Sequence, residues 1–437
     1  MTEETLYSPK EFVKELNYSK VKPTAVESRP VINRYRANNQ SHTANQWIEI
    51  EIQTGTPGLH LFPHDSFLEG VIDVVTTGNT GRIDGNCFSL FRTLEVIVGG
   101  QLMERTSFCG KTWHVLNDII LSQQQRQYQT VSHAGNGITG SSAAGEKKIP
   151  FAFTLPSALL GSLSTKALPL SKLQNSSVVL RLELDNQNNW LGDAGTAITI
   201  TSTAVKDVYY NAKCSMLPSD VESDLFAATG GRILLPAMSY NGEYKQINTL
   251  STTFNDKFSF QYDSLNAILF WFMPTGGQNL TTHQSQTGRV NATMHEYQLD
   301  INGDRYPSSG PVGDSSDSVL SQARFITELR RTFDMLGTTE SGGVMTSDRY
   351  ASDDGTTALV VDNAANPTTS LRNVYGLDLN RFNGSHESMF AGINTRGQQI
   401  SLNCKFASTT PNSLYIYAVA MFDVLYIIEG GLMTARY

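Results

Sequence analysis

From residue 47 onward the chain alternates. Trp47-Ile48-Glu49-Ile50-Glu51-Ile52 sets apolar residues on one side and charge on the other, the period-two signature of a half-buried strand. The same pattern places strands at Leu68 to Val75 and Leu94 to Val98, the latter closed by the turn signal Gly99-Gly100. It also places one at Val178 to Leu184, where Val178, Leu180, Leu182 and Leu184 share a face opposite Arg181 and Glu183. Further strands are expected over 197–210, Ile400 to Phe406 and Leu414 to Ile428, the last followed by a small tail. Lys257 to Met273 is rich in aromatic residues and suits two core strands. Two stretches switch to helical spacing: Lys111 to Tyr128, with Val115, Leu116, Ile119 and Ile120 on one side, and Val319 to Phe333.

These elements recur in order. Ala204 to Tyr210 read AVKDVYY and Ala420 to Tyr426 read AMFDVLY, so both fit A-x-x-D-V-x-Y. Upstream, Val96 to Gly100 is echoed by Leu299 to Gly303, each an apolar-x-apolar-x-Gly strand end, and each precedes one of the two helical stretches. The order strand, glycine turn, helix, strands, D-V-x-Y therefore occurs twice. A period this long signals a duplicated domain, since solenoid units run about 20 to 50 residues.

The length of 437 residues agrees, because single cores stop growing near about 250 to 300 residues. The reading divides the chain into an N-terminal arm over 1–45, a first β domain over 46–216, a linker over 217–231 and a second β domain over 232–437. Within the linker, Pro218 followed by Asp220, Glu222 and Asp224 predicts a short helix. In the arm, Ser8-Pro9-Lys10-Glu11 opens a short helix through Leu16, and Lys20, Lys22, Arg29, Arg34 and Arg36 nearly balance its glutamates. Two polar, Gly/Ser-rich stretches, 132–146 and 337–366, are loops, and the second is too long for an ordinary connection.

Charged residues are only 17 % of the chain and the net charge is −8. Low charge suits a surface covered by other subunits. Net negative charge argues against a body that wraps nucleic acid. The residues MTEETLYSPKEF contain no apolar core, so no signal peptide is expected. Leu414 to Ile428 is too short, too β-branched and interrupted by Asp423 to be a membrane helix. Cys87, Cys109, Cys214 and Cys404 lie far apart and read as buried, reduced thiols. The sequons at Asn39, Asn175, Asn279, Asn291 and Asn383 are of the kind an Asn/Ser/Thr-rich chain carries by chance.

Candidate chemistry is thin. His60 and His64 are four apart, the zinc-sharing spacing on a helix, but Pro63 forbids a regular helix and the pair reads as two solvent histidines in a loop. Gly140 to Lys147 imitates a phosphate loop, yet Glu146 stands where Lys is required and a strand follows instead of a helix. Asp314, Asp317, Asp348, Asp353 and Asp354 lie in loops without the calcium-loop register. The aromatic clusters lack interleaved basic residues and read as core rather than a base-stacking platform. No catalytic residue, cofactor site or metal site is assigned, and no enzyme activity is expected.

The landmarks resemble the double jelly-roll major capsid proteins of large DNA viruses, virophages, adenovirus hexon and tailless membrane-containing phages. The residues that carry the resemblance are Ile149-Pro150-Phe151, Ala167-Leu168-Pro169-Leu170 and Val178 to Leu184, preceded by Glu95 to Met103 and a helix containing Trp113. In the second half they are Leu299 to Tyr306 and Asp423 to Gly431. The resemblance implies two eight-stranded antiparallel jelly-roll sandwiches side by side, with short helices between strands. It also implies a homotrimer of pseudo-hexagonal outline that tiles an icosahedral shell in the virion. Its partners would be neighbouring trimers, minor capsid and penton proteins, and an internal membrane reached through the arm, with no sequence-specific nucleic acid. Under this reading the Asp and Tyr of D-V-x-Y align a core strand in each barrel. The alternatives are a receptor- or glycan-binding jelly-roll spike, which needs exposed aromatic platforms, and a β-sandwich carbohydrate-active enzyme, which needs paired carboxylates in a cleft.

Overall fold

The computed structural model describes residues 28–77, 81–83, 85–120, 132–133, 145–164, 166–173, 176–193, 199–248, 251–274, 289–290, 292, 294–314, 318–333, 373–380, 391–407 and 414–437. The expected arm helix, nearly all of the 132–146 loop and the whole 337–366 loop fall outside these residues.

The first half contains eight principal strands: β1 (Arg29–Arg36), β2 (Trp47–Ile52), β3 (Phe67–Thr77), β4 (Phe91–Val98), β5 (Gln101–Ser107), β6 (Gly145–Phe153), β7 (Val178–Leu184) and β8 (Thr199–Met216). They pair antiparallel as 1 with 8, 2 with 7, 3 with 6 and 4 with 5. The half is thus one long hairpin rolled over on itself into two facing sheets, β1-β8-β3-β6 and β2-β7-β4-β5. The alternation seen in sequence becomes the sandwich core: β7 is buried at every other residue, with Val178, Leu180, Leu182 and Leu184 inside. Rolling in this way buries one face of each sheet and leaves the loops at the ends free to vary.

The second half contains β9 (Arg232–Ile247), β10 (Thr253–Phe258), β11 (Leu265–Pro274), β12 (Met294–Ile301), β13 (Asp304–Tyr306), β14 (Tyr375–Asp378), β15 (Ile400–Phe406) and β16 (Leu414–Glu429). Its sheets are β9-β16-β11-β14 and β10-β15-β12-β13. Adding eight to each strand number of the first half reproduces the second. The turn glycines recur too. Gly99 (φ 57°) and Gly100 (φ 79°) join β4 to β5, and Asn302 (φ 53°) and Gly303 (φ 97°) join β12 to β13. Two successive positive φ values make the type I′ turn that matches strand twist. After each hairpin comes a helix, α1 (Cys109–Ile120) in the first half and α3 (Ser318–Thr332) in the second. The aromatic run from Lys257 supplies the end of β10 and all of β11, as expected of two core strands.

Between the halves, α2 (Ser219–Ala228) is the short helix expected after Pro218. It is pinned by Glu222, which accepts hydrogen bonds from the Gly58 amide at 3.1 Å and from the Ser171 hydroxyl.

Two expectations need correction. Arg29 to Arg36, placed in the arm by the sequence reading, forms β1 and pairs with Met216 to Tyr209 in continuous register. Its inward side is a mixed set, Val31, Asn33 and Tyr35, so it lacks the apolar alternation that reveals a strand. The tail after Ile428 is also structured: Gly430 and Gly431 turn the chain so that Leu432–Arg436 pairs back on β16.

The D-V-x-Y motifs both lie on the last strand of their half, β8 and β16. Tyr210 and Tyr426 are wholly buried, as are Val208 and Val424. The aspartates diverge. Asp423 is buried and accepts from the Ser264 hydroxyl and the Asn266 amide, both at 2.7 Å, which ties β16 to the start of β11. Asp207 sits in a bulge between Lys206 and Tyr209, at φ 51°, and its side chain is exposed. A bulge inserts a residue and re-aims the side chains beside it, so the strand-aligning role expected of both aspartates holds at Asp423 and fails at Asp207. The tyrosines also differ at their tips. The Tyr210 hydroxyl donates to the Leu160 carbonyl at 3.0 Å, whereas the Tyr426 hydroxyl is buried without a hydrogen-bond partner among the described residues. Tyr210→Phe is therefore expected to cost about 0.5–1.5 kcal/mol. Tyr426→Phe should be neutral or slightly stabilising, since it removes a desolvated hydroxyl whose loss breaks no hydrogen bond among the described residues. Paired urea titrations check the contrast, and equal losses at both positions would contradict it.

Candidate functional site

The residues singled out from sequence do not converge. His60 lies in the short strand Leu59–Leu61 and is buried, with Nδ1 3.0 Å from the Gly58 carbonyl. His64 sits in a single 3-10 turn opened by Pro63 and is exposed. The expectation of two solvent histidines thus holds for His64 and not for His60, which pairing with Pro169 on one side and Ser215 on the other carries into a sheet. Glu146 and Lys147 belong to β6, and 140–144 lie outside the described residues. Asp314 lies 3.9 Å from Arg324, and Asp317, Asp348, Asp353 and Asp354 lie outside the described residues. Among the described residues no group of three His, Cys, Asp or Glu side chains could hold a metal ion. There, too, no helix is long and apolar enough to cross a membrane. All four cysteines are buried and unbridged, and burial pushes the Cys214 thiol up to about 11.

What the fold does build is a junction between the halves. It runs from β5 through α1 on one side and across β9, β16 and the C-terminal residues on the other. At its centre is Glu104, on β5 and 1 % exposed. Its carboxylate accepts from the Ser157 hydroxyl at 2.6 Å, the Ala158 amide at 2.8 Å and the Leu159 amide at 3.2 Å, all from the first half. A fourth hydrogen bond comes from Ser239 of β9, in the second half, at 3.4 Å. Burial raises the Glu104 carboxyl above the ordinary glutamate range, although each of these donors pulls it down.

Around this centre, the Tyr437 hydroxyl donates to the Met103 carbonyl, and the Tyr437 carbonyl accepts from the Asp263 amide at 2.9 Å. Next along the chain, Phe108 adopts φ 55° and aims its ring at Tyr244 and Tyr417, with centroids 5.4 and 5.5 Å away. Lys111, the third residue of α1, places its ammonium 5.2 Å over the Tyr417 ring. The two halves then meet in a buried ion pair, Asp118 with Arg289 at 2.5 Å. Gly242 permits the approach, because a Cβ there would lie 3.0 Å from the Ser107 carbonyl oxygen. Apolar packing, a shared carboxylate and an ion pair join the halves over one continuous surface.

None of these junction residues stands out in the sequence. Glu104 occupies an inward position where a charged residue is almost never found unless it is bonded, and its partners lie 53 to 135 residues away.

No family model matches the chain, and no curated protein matches it in sequence. Its structure is similar to solved capsid structures over nearly its full length. Against the PBCV-1 virus capsid the TM-score is 0.62 at 12 % identity, covering 96 % of this chain and 99 % of that one. Against the Faustovirus major capsid protein it is 0.58 at 8 % identity, covering 94 % and 92 %. Against the mavirus major capsid protein it is 0.55 at 9 % identity, covering 100 % and 97 %. With two eight-stranded barrels of one strand order joined through a buried junction, the chain has the all-β double jelly-roll fold seen in these capsid proteins.

Proposed function

We propose that this chain is a viral major capsid protein, a structural component of the virion rather than an enzyme. In this reading three copies form a capsomer of pseudo-hexagonal outline, and capsomers tile an icosahedral shell. The observation that carries the reading is the identical strand order of the two halves together with their buried junction. Two equivalent barrels in each of three chains present six similar sides, so an object with closed three-fold symmetry fills a six-neighbour lattice position. Residues 46–216 and 232–437 are assigned to the two barrels, with β1 added to the first and 217–231 as the linker.

The partners are other copies of the chain, then minor capsid and penton proteins at the shell's edges and vertices. The N-terminal arm is assigned to the base, where it meets a neighbour, a minor protein or an internal membrane. The 132–146 and 337–366 loops are assigned to the outer tower or to capsomer contacts. Interfaces within the capsomer should be large, of the obligate class at roughly 2,000 Å² or more.

Electron microscopy and sedimentation of the purified protein test this. Trimers with a six-sided outline, or shells, are expected. A protein that stays monomeric and binds glycans on an array would replace the reading with that of a receptor-binding spike. Removing residues 1 to 27, ahead of β1, is expected to impair shell assembly, and unimpaired assembly would remove the arm from the scheme.

A further inference from the structure

Between β1 and β2 the chain crosses from one sheet of the first barrel to the other, and residues 37–42 fasten the two sheets together on the way. The Ala37 amide donates to the Val208 carbonyl of β8 at 3.0 Å, and the next amide, Asn38, donates to the Glu49 carbonyl of β2 at 2.8 Å. Ala37 also forms an antiparallel bridge with Ile50. The Gln40 carbonyl accepts from the Asp207 amide at 3.1 Å, inside the bulge of β8, and Ser41–His42 pairs antiparallel with Lys206 and Val205. The crossover is a staple across one end of the sandwich.

Its anchor is a histidine. His42 is 1 % exposed and lies opposite Val205, which is itself opposite Ile72, and both of these are buried. Its Nε2 is 3.2 Å from Asn38 Oδ1. That same oxygen accepts from the Asn39 amide at 2.9 Å, which identifies it as the oxygen of the side-chain amide. An amide oxygen can only accept, so Nε2 carries the ring's proton and Nδ1 is bare. Nδ1 is buried and has no hydrogen-bond partner. A second proton can enter only there, where it makes an unpaired donor on a charged ring, and burying an unpaired charge is costly.

The charged groups of the adjoining strands do not offset that cost. Lys206 and Asp73 pair with each other at 2.5 Å on the opposite face of their sheet, and Glu49 pairs with Arg181 at 2.8 Å on the outer face of the other. Asp207 and Arg36 are exposed. Tyr35 shares the inward side, but burial raises its hydroxyl, so it is uncharged in neutral and acidic solution. Burial alone lowers His42 below the ordinary histidine value. The second barrel has no counterpart: residues 248–252, between β9 and β10, include no histidine. There the Thr252 carbonyl accepts from the Phe406 amide at 2.9 Å.

We propose that His42 is an acid-operated release for this staple: protonation expels its ring from the core and frees residues 37–42 from both sheets, so that the first barrel opens at one end while the second stays closed. The ring binds its proton more weakly folded than unfolded. The staple is therefore fully held above the ordinary histidine value of about 6.5, and loses hold as pH falls below it, by up to about ten-fold per pH unit for the one proton taken up. Release leaves β1 as an edge strand held by its register with β8. The inference concerns one barrel of one chain and stands apart from the capsomer reading.

Hydrogen exchange read by mass spectrometry between about pH 7.5 and pH 5.5, spanning the ordinary histidine value, tests this, with protection corrected for the intrinsic pH dependence of exchange. Wild type is compared with His42→Gln, which keeps a donor in place of Nε2 but does not titrate, and with His64→Gln, which removes an exposed histidine. In wild type and His64→Gln, protection over 37–42 is expected to fall about ten-fold across the last pH unit, while protection at Phe406 stays level. In His42→Gln, protection over 37–42 is expected to stay level as well. Wild-type protection over 37–42 that holds to the acid end of the range would overturn the inference, and so would an equal loss in His42→Gln. If His42→Gln fails to fold, wild type decides by position: a loss over 37–42 that spares Phe406 supports the release, and a loss shared by both ends overturns it.

Discussion

Glu104→Ala is expected to lower the unfolding free energy by about 3–5 kcal/mol, since each buried donor left without an acceptor costs about 1–3 kcal/mol and water refills part of the space. Four donors depend on this one carboxylate, two backbone amides and two hydroxyls. Because Ser239 belongs to the second half and the other three to the first, the loss should fall on the joint between them. Limited proteolysis should therefore cut Glu104→Ala between residues 217 and 231 well before it cuts wild type. Glu104→Gln should retain part of the stability, because one oxygen still accepts while the new amide meets donors. A urea midpoint for Glu104→Ala within error of wild type would rule out this role.

The same residue predicts a pH dependence. Burial raises its carboxyl in the folded state, and its charge adds to the burial that raises the hydroxyls of Tyr426 and Tyr437. A raised carboxyl binds its proton more tightly folded than unfolded. Its contribution to stability is therefore fully present below the ordinary glutamate range and is lost as pH rises through the folded value. In Glu104→Gln that slope should vanish. Urea midpoints of the two proteins, followed upward from about pH 4.3, the ordinary glutamate value, should show wild type losing ground to the variant.

The second large effect is expected at Gly161. A Cβ there would lie 1.7 Å from the Leu155 carbonyl oxygen, 2.6 Å from its carbon and 2.8 Å from the Ser157 amide nitrogen. All three are backbone atoms of the turn that aims the Ala158 and Leu159 amides at Glu104, so no side chain can swing aside. Gly161→Ala must deform the turn, and a loss above about 3 kcal/mol, or a failure to accumulate folded protein, is expected. Gly430→Ala provides the comparison. Gly430 has φ 58° and nothing within 4 Å of a built Cβ, so only the left-handed strain of about 1–2 kcal/mol applies. Similar urea midpoints for the two variants would mean the turn around Gly161 yields more than its contacts indicate.

Much of the fold was legible in the residues. The alternation at Trp47 to Ile52, Val178 to Leu184 and Ile400 to Phe406, the helix at 318–332 and the paired turn glycines all lie where local pattern places them. Local pattern suffices there because the period of side chains on a strand or helix is set by the backbone itself. The strand at Arg29 to Arg36 was not legible. Its inward residues include Asn33 and Tyr35, and what holds it is register against β8 rather than its own hydrophobicity. His60 was misjudged for a similar reason: a three-residue strand is too short to show a period.

The two aspartates of the repeated motif show where sequence stops. Their neighbours are nearly the same, yet one is buried and bonded to Ser264 and Asn266 while the other is turned outward by a bulge. The difference lies in register, since β8 bulges at Asp207 while β16 pairs without a break at Asp423, and nothing in A-x-x-D-V-x-Y encodes it. By itself the sequence determined the strands, the turns, the two helices and the fact of duplication, because each depends on residues within a few positions of one another. Only the tertiary structure decided that Glu104 would tie the two halves together, that α1 would be buried against the second half, and that a bulge would turn Asp207 outward. Those outcomes depend on groups brought together from tens to hundreds of residues apart, and burial and hydrogen bonding act on distance in space rather than along the chain.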